Sequence, residues 1–148
     1  TTVPAVHKCL NSNIQGVLMI GVKVKDKFNP AKIKDAVKRA NFRNLGHAGA
    51  AIRLTARRSI RKSKKASPSG TPPHTRRGQL KRGILYAVDQ DAGGVIIGPA
   101  YTIVGQSGKA HEFGGRYKRQ FYPARSFMGP ALDKNKVKIP TLWKDSIK

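Results

Sequence analysis

Acidic residues are what this chain has least of. Seven Asp and Glu stand against 30 Lys and Arg, a formal charge of +23 at pH 7 over 148 residues. Self-repulsion of that size works against an isolated compact monomer, so a polyanionic neighbour is expected, either nucleic acid or an acidic protein surface. Cysteine is nearly absent as well. The single Cys9 excludes an intrachain disulfide framework and a cysteine-based zinc site, and it fits a reducing compartment. No apolar run approaches the roughly 20 residues that span a bilayer. No basic region followed by an apolar run marks a signal peptide at the start. Hydrophobic residues make up 39% of the chain, enough for one domain with a modest core.

The few acids are also unevenly placed. They are Asp26, Asp35, Asp89, Asp91, Glu112, Asp133 and Asp145, and none lies between residues 36 and 88. That interval carries Lys38, Arg39, Arg43, Arg53, Arg57, Arg58, Arg61, Lys62, Lys64, Lys65, Arg76, Arg77, Lys81 and Arg82. Opposite charges four apart support a helix and like charges oppose it, so compensation here is expected from outside the chain. A solvated basic face with diffuse counterions is the plainer alternative. The candidates for contact with a partner or DNA are Arg53, Arg57, Arg58, Arg61, Lys62, Lys64, Lys65, Arg76, Arg77, Lys81 and Arg82.

The hydrophobic pattern predicts an α+β fold, a long N-terminal helix packed on a mainly antiparallel sheet, with a long flexible basic loop. Residues 1–18 read as an N-terminal arm or an extension upstream of Met19, and 19–148 as a single domain. Ile20–Phe28 alternates apolar and polar residues as a strand does. Asn29 followed by Pro30 is a helix start, because Asn caps and Pro is tolerated in the first turn. Ile33, Val37, Ala40, Leu45, Ala48, Ile52, Ala56 and Ile60 then form one apolar stripe to about Lys62, interrupted by Gly46 and Gly49. These glycines mark either a bend or a close approach of another element.

Residues 63–79, rich in Ser, Pro, Gly and basic side chains, are expected to be a mobile loop that orders in an assembly. ILYAVD (84–89) and GVIIGPA (94–100) predict a hairpin across Gln-Asp-Ala-Gly. Tyr101–Gly105 is expected to continue extended, 109–114 to make about one helical turn, and 116–122 to add a third strand. A short helix is expected over 126–134 and a final turn from Pro140.

Catalytic patterns are missing. Only Asp89 and Asp91 are close in sequence, in a predicted turn. No two histidines stand four apart, and the Gly-Gly pairs lack a phosphate-loop context. The segment His111-Glu112-Phe113-Gly114-Gly115 invites a catalytic reading. A structural corner is the better one, with Phe113 in the core and Glu112 paired to Arg116 or Arg125. Phe113, Tyr117, Phe121, Tyr122 and Phe127 lie among Arg116, Lys118, Arg119 and Arg125. They suit either base stacking or, preferably, the core of the β-region.

Three stretches in order carry a resemblance. They are Ser69-Gly70-Thr71-Pro72-Pro73-His74-Thr75-Arg76-Arg77-Gly78-Gln79-Leu80-Lys81-Arg82-Gly83-Ile84; then Ile97-Gly98-Pro99 with Lys109-Ala110-His111-Glu112-Phe113-Gly114-Gly115; then Tyr122-Pro123-Ala124-Arg125-Ser126-Phe127-Met128-Gly129-Pro130-Ala131-Leu132. Over roughly 20–135 the chain resembles the head–tail joining, or tail-completion, proteins of tailed bacteriophages. It departs at Gly83, where the family often has Ser, at Ser126 in place of a frequent Pro, and at Pro140.

The resemblance implies an α+β virion protein of the phage neck. Such a protein forms a ring with copies of itself, commonly six-fold, between the head-side connector or stopper and the tail-terminator or tail-tube proteins. It implies no catalysis, no cofactor and no metal, with assembly in the host cytoplasm and DNA as a neighbour in the lumen. His111, Glu112, Phe113, Gly114, Pro123, Ala124, Arg125 and Phe127 would then be structural. The alternative is a basic nucleic-acid-binding protein that contacts phosphates through residues 53–82.

Overall fold

A computed structural model describes residues 29–117, 119–144 and 146. The arm and the Ile20–Phe28 strand expected from the sequence lie outside the described residues. The fold is α+β: a 30-residue helix, α1 (Pro30–Ser59), followed by small two-stranded sheets and several short helices, with the 84–99 hairpin and the 128–136 helix packed against it. The start of α1 is as its sequence predicts. The Asn29 side-chain oxygen accepts from the Lys32 amide at 3.2 Å, and Pro30 occupies the first turn. Ala40, Asn44, Ala48, Gly49, Ile52 and Ala56 form its buried face. The first members of the same stripe, Ile33 and Val37, are exposed.

The helix stops at Ser59 rather than near Lys62. Ile60 turns extended, and β1 (Arg61–Lys62) pairs in parallel with β2 (His74–Thr75), Arg61 opposite His74 and Lys62 opposite Thr75. This pairing changes the reading of residues 63–79. The Ser63 amide donates to the Thr75 carbonyl and the Gly70 amide to the Ala124 carbonyl, while Ser67, Pro73 and Thr75 are buried. The segment expected to order only in an assembly is therefore held by contacts within one chain.

A short helix, α2 (Gln79–Gly83), leads into the hairpin β3 (Ile84–Asp89) and β4 (Gly94–Pro99), paired from Ile84 opposite Pro99 to Asp89 opposite Gly94. The Asp89 carboxylate accepts from the Asp91 and Ala92 amides and shapes the turn. The hairpin lies close against α1 because Gly49 has no side chain. A Cβ there would stand 2.7 Å from the Tyr86 ring and 2.8 Å from Val95. Gly49 is thus the close approach. Gly46 faces open space.

Two expectations are corrected beyond the hairpin. Residues 101–104 form a helical turn, α3 (Tyr101–Val104), not an extension of β4. The Ala100 amide donates to the Gly83 carbonyl and turns the chain back. Gly83, where a Cβ would meet Val104 at 2.8 Å, leaves room for α3 to pack on α2. After α4 (Ser107–Phe113), strands β5 (Gly115–Tyr117) and β6 (Gln120–Tyr122) pair only with each other, not as added strands of the first hairpin. The chain closes with α5 (Met128–Lys136) and a 3-10 turn at Pro140–Leu142.

The core joins Ile52, Ala56 and Ile60 of α1 to Leu80, Ile84, Phe127 and Ala131, flanked by Ile97, Val104, Met128 and Ile139. Of the aromatics expected to form it, Phe127 is fully buried, and burial of such a ring contributes about 1.5–3 kcal/mol. Phe113 and Phe121 are corrected: they are 74% and 76% exposed. Two side-chain bonds tie the end of the chain to α1. Asn135 donates to Thr55 at 2.9 Å, and the Trp143 indole N–H donates to Asn41 at 2.9 Å.

Candidate functional site

The corner at 111–115 meets the 122–132 close through its main chain. One Glu112 carboxylate oxygen accepts from the Phe127 and Met128 amides at 2.9 and 3.0 Å, and the other accepts from Gly129 at 2.9 Å. These amides open α5, where helical N–H groups lack partners within the helix, so the carboxylate caps it. The expected pairing of Glu112 with Arg116 or Arg125 is replaced by this cap. Arg125 instead donates through Nε to the Ser67 carbonyl at 2.8 Å, and its amide donates to the His111 carbonyl at 2.7 Å. The Ser126 hydroxyl donates to the Glu112 carbonyl. Gly114, at φ +71°, passes so near Ala124 that a Cβ would lie 2.8 Å from its nitrogen. Phe127 enters the core, while Pro123 is half-buried and Ala124 exposed.

The basic candidates divide. Arg53 is part-buried, and its Nε donates to the Ile84 carbonyl at 2.8 Å, which makes it a brace between α1 and β3. Arg57 is half-buried in the last turn of α1, where its charge suits the helix dipole. Arg58, Arg61, Lys62, Lys64, Lys65, Arg76, Arg77 and Arg82 are exposed, and Lys81 is half-buried. The β1–β2 pairing brings the end of α1 beside the 75–78 bend, so residues far apart in sequence share one ridge. Asp89 and Asp91 lie far from it. They line a hollow with Lys38 and Asn41 in the first half of α1, which is about 45 Å long.

Beside the ridge is a cleft of about 470 Å³. His74, Arg76, Arg77 and Gln79 stand on one side, Ser107 and His111 on the other, and Leu80 and Val104 between them. The Thr75 hydroxyl holds the bend by accepting from the Gly78 amide at 3.1 Å. The His74 ring lies 3.0 Å from the Lys65 carbonyl; a carbonyl only accepts, so Nδ1 carries the proton. Buried His111 Nδ1 has no hydrogen-bond partner. Burial first, and the charge of Arg125 second, push the His111 pKa below its ordinary 6.5, which keeps the ring neutral. Gln79, Ser107 and the cleft-facing role of His111 were not legible in the sequence. Their only local signal is the four-residue spacing of Ser107 and His111 on one helical face.

A second hollow, about 580 Å³ and largely apolar, lies on the other side of α4. Leu45, Val95, Phe113, Met128, Leu132 and Trp143 line it. Among the described residues no group of three or more His, Cys, Asp or Glu is placed to hold a metal ion, and no helix is long and apolar enough to cross a membrane. Comparison with protein-family models, with curated proteins and with solved structures returned no match.

Proposed function

We propose that this chain is a structural assembly protein of the tailed-phage neck, forming a ring with copies of itself and joining the head-side connector to the tail. One observation carries the reading. The three stretches on which the resemblance rests meet in a single knot: Gly70 bonds to Ala124, Arg125 reaches Ser67 and His111, and Glu112 caps the helix that follows Phe127. They are parts of one scaffold rather than separate short motifs.

The surface supports the same reading. Ile96, Tyr101, Phe113 and Phe121 are each more than two-thirds exposed in the single chain. Large exposed apolar side chains, one of which (Phe113) lines the apolar hollow, suit burial against other protein. The cationic ridge supplies steering toward acidic neighbours and sets register.

Light scattering and negative-stain microscopy of the purified protein test the proposal, together with its addition to separated heads and tails. A closed ring of defined mass that restores joining is expected. A strict monomer at high concentration that leaves heads and tails apart would refute it.

A further inference from the structure

We propose that the cleft between the 75–78 bend and α4 is a phosphate seat for a nucleic-acid backbone, with Arg76 and Arg77 as the contacting cations. The site goes beyond the neck reading and stands without it, because every group belongs to one chain.

The cleft is concave, and no carboxylate is among its lining residues. Arg76 and Arg77 are exposed, and no described residue accepts a hydrogen bond from either. Guanidinium forks match the paired oxygens of a phosphate, and the apolar Leu80–Val104 floor weakens water's competition for them. Across the cleft Ser107 and the His111 ring form the opposite wall, with the His111 Nδ1 itself shielded from solvent.

The surroundings favour a polymer over a single anion. Arg61 and Lys62 pair alongside His74 and Thr75, and Lys81 and Arg82 follow Gln79 and Leu80 in α2, all in an interval of sequence without acids. Several cations close to one another in the chain, two of them lining the cleft, match a backbone with regularly spaced charge. A hollow of about 470 Å³ holding two guanidinium groups is of a size to take a single phosphate group of a backbone that passes over it.

Fluorescence anisotropy with a labelled duplex, across a salt series, tests the site. Wild type, Arg76→Ala/Arg77→Ala and the control Lys134→Ala/Lys136→Ala on α5 are compared. Loss of two phosphate contacts is expected to lower the slope of log affinity against log salt by about 2, with the control unchanged. Inorganic phosphate added to ¹⁵N-labelled wild type should shift the His111 ring signals and the 75–79 amides, a readout that does not depend on any variant folding. An unchanged slope in a folded double variant, or no shift with phosphate, overturns the proposal. So does polyglutamate binding as tightly as duplex with the same loss on substitution, which assigns the cleft to acidic protein. Ring formation and head–tail joining are read separately, so either proposal can fail alone.

Discussion

Removing the Glu112 carboxylate tests whether the corner and the close hold each other. Its two oxygens take three consecutive amides at the start of α5, from a residue fifteen positions upstream of the first of them. In Glu112→Ala those amides lose their acceptor at a half-buried site. An ordinary N-cap is worth about 0.5–2 kcal/mol, and a negative charge at a helix start adds about 0.3–1. This cap is bidentate and charged and bridges two remote segments, which places the loss at the top of the combined range, about 2–3 kcal/mol. Glu112→Gln keeps the shape and one acceptor but turns an NH₂ group toward an amide, a loss of about 1–2 kcal/mol. At about 2–4 °C per kcal/mol for a chain of this size, Tm falls by roughly 5–10 °C in the alanine variant and about half that in the glutamine variant. Thermal unfolding followed by far-UV circular dichroism reads both, and hydrogen exchange at Phe127, Met128 and Gly129 should quicken first. An alanine variant that melts with wild type and protects those amides equally refutes the capping argument.

Other outcomes follow from the packing and from His111. Gly46→Ala should stabilise by about 0.5–1 kcal/mol, since nothing lies near the added methyl, whereas Gly49→Ala should destabilise by about 1–3 kcal/mol by striking Tyr86 and Val95; urea midpoints separate the two. Phe127→Ala should cost about 3–5 kcal/mol, while Phe121→Ala, at an exposed ring, should stay within about 0.5 in the monomer, measured the same way. The His111 pKa is lowered on folding, so between its folded value and 6.5 the unfolded chain binds more protons than the folded one. Stability is full above pH 6.5 and declines as pH falls below it toward the folded value, and His111→Gln should flatten that decline in denaturation midpoints taken across the range.

What was legible in the sequence was local. Asn29-Pro30 marks the start of α1 by its own capping chemistry, and the β-rich runs ILYAVD and GVIIGP on either side of a Gln-Asp-Ala-Gly turn mark the 84–99 hairpin. Tyr101–Val104 misled because a β-branched run after Pro99 reads as strand. Its helical turn is imposed by the Ala100–Gly83 bond and by the space left at Gly83, both tertiary. The partners of Glu112 were hidden for a related reason: they are backbone amides, and no residue type announces them. Phe113 and Phe121 were placed in the core by hydrophobicity alone, which does not say whether burial comes within a chain or between chains. The cleft was the least legible feature, because it joins the 74–79 segment to 107 and 111 across the packing of α2 on α3.

Helix α4 links the two surfaces. His111 lines the basic cleft, while its neighbours Glu112 and Phe113 line the apolar hollow on the other side. The helix is fixed at both ends. The Ser107 hydroxyl donates to the Val104 carbonyl, Gly108 packs against Pro99 with no room for a Cβ, and Glu112 is locked to α5. A wall held this way presents both surfaces as faces of one body, so charge and apolar contact act on a partner in a fixed relative orientation. The two contributions then separate kinetically. Long-range attraction to the ridge raises the association rate and is screened by salt, whereas contact in the apolar hollow sets the lifetime of the docked state and is not. For the ring assembly proposed above, added salt should therefore slow association far more than it speeds dissociation, and a dissociation rate that rises with salt as steeply as the association rate falls would refute this division.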